Sequence, residues 1–220
     1  RLVFSGLLKF DGTGAITGDL AERYEVSEEG NTYTVTLRKE AVWHDGKEVS
    51  ADDVLFTINT IKNPKYKSPL RANWQGVEVE ALDSATVRFT LRTPYVPFIE
   101  NMTVGILPKH LWERIGPEQA YLHELNLMPV GAGSYAFETF EKKKDGSLVS
   151  YRLSRNKHFY GPGPYLEEIE FFFSQNEDEL HAAWKRGDID GYGPVSHAGI
   201  FAGDPKAHIL EMRMPRIFGL

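Results

Sequence analysis

Asn31-Thr32-Tyr33-Thr34-Val35-Thr36-Leu37-Arg38, followed by Val42-Trp43-His44-Asp45-Gly46 and Ser50-Ala51-Asp52-Asp53-Val54, decides the reading of this chain. Tyr33, Val35 and Leu37 alternate with Thr32, Thr34 and Thr36, the period of a half-buried strand rich in β-branched residues. Gly30-Asn31 supplies a turn before it and Asp45-Gly46 a turn after it. Ser50 is a helix N-cap by type, and Asp53, at the third helical position, reaches back to it in the manner of a capping box. Val54, Ile58 and Ile61 fall at spacings of four and three on one helix face. Asn63-Pro64 ends the helix, because a residue before proline avoids helical geometry.

Outward from this core the same signals recur. Residues 2–10 are apolar and short, a strand or buried segment closed by Asp11-Gly12. Val87, Phe89 and Leu91 alternate within a strand over 85–91, and Pro94 and Pro97 break the pattern. Leu107-Pro108 predicts a helix through Leu111, Trp112 and Ile115, with Pro108 in its first turn. Residues 135–140 and 148–153 read as a hairpin around 142–146, and 169–173 as a buried strand. Asn176 caps a helix with Glu179 as its partner; Leu180, Ala183 and Trp184 form its apolar face, and Gly187 stops it. Residues 188–192 resume an extended path. Gly161-Pro162-Gly163-Pro164 is a loop too short to link domains, and no internal repeat occurs. Strands and helices interleave without strict βαβ alternation, so the class is α/β with a sheet that is not purely parallel.

The 220 residues suffice for one large domain or two small ones. With 41% hydrophobic and 25% charged residues the composition is that of a soluble globular chain. A net charge of −6 without a long basic run argues against nucleic acid as a partner. Lys142-Lys143-Lys144 runs into Asp145-Gly146 and is a hairpin tip. The absence of cysteine excludes disulfides, cysteine-bound zinc and thiol catalysis. No apolar run is long enough to span a membrane.

Several chemistries fail on spacing. Gly131-Ala132-Gly133-Ser134-Tyr135-Ala136 fits a loose G-x-G-x-x-A, but a strand pattern follows where a dinucleotide site needs a helix. None of the seven histidines (His44, His110, His123, His158, His181, His197 and His208) lies two, three or four residues from another, which argues against a local metal cluster. Asp188-Ile189-Asp190-Gly191 places its glycine too early for a calcium loop. There is no G-x-S-x-G elbow. Asp52-Asp53 and Glu167-Glu168 sit at helix starts or solvated turns, where capping explains them. The expectation is therefore no catalytic residue, no metal and no cofactor.

Taken together, residues 21–38, Val42-Trp43-His44-Asp45-Gly46, Ser50-Ala51-Asp52-Asp53-Val54, Pro129-Val130-Gly131-Ala132-Gly133-Ser134-Tyr135, Arg155-Asn156 and Gly187-Asp188-Ile189-Asp190 resemble, in order and spacing, extracytoplasmic solute-binding proteins of family 5. These are the peptide/nickel-binding capture subunits of ABC importers. The resemblance implies a mixed-sheet lobe of a two-lobed periplasmic-binding-protein-like fold, of the class with an extra subdomain. Residues 1–220 would be the N-terminal lobe, with 5–140 as extra subdomain and 141–220 as part of the main lobe, and the second lobe absent. A signal sequence and a first strand would precede Leu2.

The implied function is capture of di- or oligopeptides for import, by closure of two lobes around the ligand, without catalysis. Nickel-chelate or other small-solute binding, and a peptide sensor or chaperone-like role, are the alternatives. Partners would be the ligand and the ABC permease, and the location periplasmic or cell-surface. Membrane contact would come through the permease or a lipoprotein anchor outside these residues. Ligand-lining residues by this resemblance are Ser5, Gly6, Gly131, Ala132, Gly133 and Tyr192. Gly131 and Gly133 either admit close approach of backbone or ligand or form a tight turn without ligand contact, and Tyr192 is either an aromatic wall or core. Ser5 stands where relatives often carry Glu, and Ala132-Gly133-Ser134 where they usually carry Thr-Gly-Pro. His44 reads as a satisfied turn or core histidine.

Overall fold

The alternation at Thr32–Leu37 becomes the second strand of a four-stranded sheet that organises most of the chain. In a computed structural model, the structure describes residues 2–193, 195, 198–201 and 207–209. Residues up to Phe171 form one compact unit and those from Phe172 a second.

In the first unit, β1 (Leu8–Phe10) and β2 (Ile16–Gly18) make a small antiparallel ribbon. β3 (Ala21–Val26), β4 (Thr32–Leu37), β5 (Val77–Ala81) and β6 (Thr86–Leu91) form an antiparallel sheet in the order β3-β4-β6-β5. Tyr33, Val35 and Leu37, with Val87, Phe89 and Leu91 directly or diagonally across, are all buried on one face. Helix α1 (Ala51–Lys62) covers that face through Val54, Ile58 and Ile61. Ser50 N–H and Oγ both donate to Asp53 Oδ2, at 2.8 and 3.0 Å, and Asp53 Oδ1 accepts the Lys109 N–H at 2.8 Å. The capping carboxylate thereby ties the helix start to the first residue of a later one-turn helix, Lys109–Trp112. Tyr33, Trp74, Phe89 and Phe98 fill the end of this core, with ring centroids 5.1–6.0 Å apart.

Three one-turn helices follow: α2 (Phe98–Asn101), α3 (Lys109–Trp112) and α4 (Pro117–Ala120). The helix predicted through Ile115 is therefore a single turn. Gly116-Pro117 breaks the path, because Gly116 before proline is extended and caps α4 instead. β7 (Tyr135–Lys142) and β8 (Leu148–Arg155) form the predicted hairpin, with Gly146 in the left-handed conformation at its tip. β9 (Glu168–Phe172) lies beside β8. The strand predicted there is present but not buried. Phe171, Phe172 and Phe173 are 41%, 48% and 51% exposed, because no described layer covers them.

In the second unit, α5 (Glu177–Arg186) starts on Asn176, whose Oδ1 accepts the Glu179 N–H at 2.9 Å, and stops at left-handed Gly187. No helix among the described residues is long and apolar enough to cross a membrane.

Candidate functional site: a clamped N-terminal segment

The first residues have no ladder of their own, so their backbone groups must find partners elsewhere. They find them on three sides. Leu2 O accepts the Tyr135 N–H at 2.9 Å and Val3 O the Gly133 N–H at 2.8 Å. Ser5 O accepts the Ile106 N–H at 2.9 Å and Gly6 O the Leu20 N–H at 3.0 Å. Segment 2–6 is thus wedged between residues 131–135 and 102–106.

Such close approach requires glycine. A Cβ built on Gly131 would overlap the Val3 carbonyl, and one on Gly133 would overlap that of Leu2. On Gly6 it would sit 2.8 Å from Thr103 O. Of the readings left open for Gly131 and Gly133, the close approach seen is of backbone to backbone. Ala132, between them, is 1% exposed and turns its methyl into the core.

His44 holds the other side of this glycine segment. Its N–H donates to Gly131 O at 2.8 Å, and its Nδ1 accepts the Gly131 N–H at 3.1 Å. Since Nδ1 is an acceptor, the proton belongs on Nε2, which donates to Gly133 O at 3.1 Å. Burial pushes the imidazole pKa below its usual value, outweighing the Gly133 carbonyl and the nearby Asp45 charge. Asn156 Nδ2 donates to the same Gly133 O at 2.9 Å, and Asn156 N–H to Ser134 O at 2.9 Å.

A polar cluster fixes Ser5. The Tyr160 hydroxyl donates to Asp19 Oδ1 at 2.7 Å and lies 2.8 Å from Ser5 Oγ, which is 3.2 Å from Ala132 O. Two hydroxyl protons serve three short contacts, so Ser5 divides its own between Tyr160 and the Ala132 carbonyl. Lys9 Nζ stands 3.6 Å from Asp19, and Arg38 Nε donates to Asp19 O at 2.8 Å. Burial raises the Tyr160 phenol far above its ordinary pKa, and the Asp19 charge adds to the effect. Ser5 is 3% exposed.

Five of the six expected lining residues (Ser5, Gly6, Gly131, Ala132 and Gly133) are therefore gathered at one place. Tyr192 belongs to the second unit, where its hydroxyl is 2.9 Å from His181 Nδ1 and its ring meets Phe201 at 5.7 Å. Sequence reasoning left out Asp19, His44, Asn156 and Tyr160. His44 and Asn156 lay inside recognised motifs, so their positions were visible but not their partners.

Against the clamp lies a depression of about 520 Å³, lined by Leu2, Val3, Phe4, Gly105, Leu107 and Pro129 among others. Phe4 rests on Gly105, where an added Cβ would come within 3.0 Å of its own. The Val3 and Phe4 N–H groups donate to no other described residue. An apolar hollow beside backbone N–H groups that no described residue accepts can receive another extended chain. Among the described residues no group of three or more His, Asp or Glu is placed to hold a metal.

Residues 15–212 match the family described as Bacterial extracellular solute-binding proteins, family 5 Middle, and the chain belongs to that family. It is 27% identical to the dipeptide-binding protein of Escherichia coli K12, over 96% of this chain and 43% of that protein. Among solved structures it is similar to NikZ of Campylobacter jejuni in complex with Ni(L-His), with TM-score 0.81 and 35% identity over 93% of this chain and 40% of that one. It is also similar to the oligopeptide-binding protein AppA of Bacillus subtilis in complex with a nonapeptide, with TM-score 0.76 and 27% identity over 86% and 37%. The chain thus spans roughly two fifths of the length of these relatives.

Proposed function

From membership of this family, we propose that the chain is the N-terminal lobe of an extracytoplasmic capture protein for di- or oligopeptides, serving an ABC permease. The observation that carries this reading is the clamped segment 2–6 beside its apolar hollow, with the Val3 and Phe4 N–H groups donating to no other described residue. A peptide lying along it would gain main-chain hydrogen bonds that do not depend on its sequence, while its side chains enter the hollow. In this reading Ser5, Gly6, Gly131, Ala132 and Gly133 shape and stiffen the wall from behind. A second lobe would close over the ligand, and binding would favour the closed state. The nickel-chelate alternative is supported by the likeness to NikZ.

Calorimetry with short peptides, on this chain and on one extended to the relatives' length, tests the reading. The extended chain binds peptides far more tightly, because half of the wall is otherwise missing. Equal affinity of the two, or binding of a nickel chelate alone, contradicts it.

A further inference from the structure

A second concavity, of about 600 Å³, opens at the far end of the four-stranded sheet, where β5 begins, β6 ends and α2 starts. Its floor is apolar: Val77, Leu91 and Phe98 are all nearly buried. Its walls are polar, with Asn73, Gln75, Arg92, Thr93, Tyr95 and Asn101. Asn73 and Asn101 brace one another, Asn73 Nδ2 donating to Asn101 Oδ1 at 3.3 Å and Asn101 Nδ2 to Asn73 O at 3.2 Å. The side chains of Gln75, Arg92, Thr93 and Tyr95 make no hydrogen bond or ion pair with another described residue.

Arg92 is the only charged residue in this lining, and no carboxylate shares it. Its stem is set by Gly76, whose φ of +76° turns the chain and whose missing Cβ would lie 3.6 Å from Arg92 Cδ. In a chain of net charge −6, a guanidinium without a carboxylate partner in a concave site is available to an external anion. One positive charge matches one negative charge. The Tyr95 ring, 56% exposed, calls for an apolar or aromatic body behind that charge, and the amides for hydrogen-bonding groups at its edge. The volume suits a small molecule.

We propose that this groove binds a small monocarboxylate with an apolar or aromatic body, its carboxylate paired with Arg92 and its body against the exposed Tyr95 ring. The site is separate from the clamped N-terminal segment and does not depend on the peptide reading.

NMR titration of the full 220-residue chain with benzoate, benzamide and inorganic phosphate tests it. Benzoate moves the Arg92 Nε–H signal and the Asn73 and Asn101 side-chain amides in a saturable way; benzamide and phosphate bind at least about tenfold more weakly, as expected when a charge-assisted hydrogen bond or the apolar contact is lost. Arg92→Gln abolishes the benzoate response, and Arg92→Lys, which keeps the charge but not the planar fork, retains a weakened one. Equal binding of benzamide shows that Arg92 plays no part, and equal binding of phosphate shows that the Tyr95 ring plays none. Either result, or no benzoate response at these residues in a chain with a native spectrum, overturns the proposal.

Discussion

His44 and Gly131 exchange two hydrogen bonds: the His44 N–H donates to Gly131 O at 2.8 Å, and the Gly131 N–H donates to His44 Nδ1 at 3.1 Å. The second bond exists only while Nδ1 is unprotonated. The histidine of the Trp-His-Asp-Gly motif is thus a pH-sensitive rivet between the turn after Val42 and the glycine segment that grips residues 2–6.

Acid should loosen this rivet. The folded-state pKa of His44 is lowered from 6.5, so the unfolded chain takes up a proton first as pH falls. Stability contributed by this residue is fully present above pH 6.5 and declines as pH drops from there towards the folded pKa. Urea unfolding at a series of pH values should show that slope, and His44→Phe should reduce it. His44→Ala at neutral pH should cost about 1–3 kcal/mol, because the Gly131 N–H loses its partner. An unchanged slope in His44→Phe would mean that other groups set it.

Gly131→Ala and Gly133→Ala should each destabilise by about 1–3 kcal/mol or more, since the new methyl meets the carbonyls of Val3 and Leu2 rather than open space. Gly12→Ala is the control, with nothing within 4 Å of the added carbon. Thermal unfolding of the three variants compares them directly. A glycine-segment variant as stable as the control would show that segment 2–6 is not gripped as described.

Tyr160→Phe should cost about 1–3 kcal/mol, because it strips the hydroxyl that joins Ser5 to Asp19. In alkaline spectrophotometric titration, Tyr160 should be among the last of the ten tyrosines to ionise. Loss of a late-titrating tyrosine in Tyr160→Phe is the signature; an unaltered titration curve would refute the assignment.

Asp53→Ala should be more harmful than Ser50→Ala. Asp53 accepts from Ser50 N–H and Oγ through one oxygen and from Lys109 N–H through the other, and its removal leaves those donors unsatisfied. Roughly 1–3 kcal/mol separates a lost buried acceptor from a lost half-buried hydroxyl. Chemical denaturation of the pair measures the difference.

What was legible in the sequence was whatever rests on neighbours along the chain. The alternation of Tyr33, Val35 and Leu37, the Ser50–Asp53 cap and the stop at Gly187 are local, and each appears where its pattern places it. The helix through Ile115 failed because apolar spacing alone cannot outvote Gly116-Pro117. The exposure of Phe171 was invisible because an apolar run does not say which layer, if any, covers it. For the site, Ser5, Gly6 and residues 131–133 could be grouped by family resemblance. The groups that hold them in place, His44, Asn156, Asp19 and Tyr160, are joined across 23 to 155 residues, and no spacing rule reaches that far.

The most direct test of the central claim is native mass spectrometry of the protein isolated at its natural length, before and after mild denaturation. Peptide capture predicts a ladder of peptide masses that co-purify with the protein and leave on denaturation. A single metal-chelate mass, or a ligand-free protein that stays free when a peptide mixture is added, would contradict it.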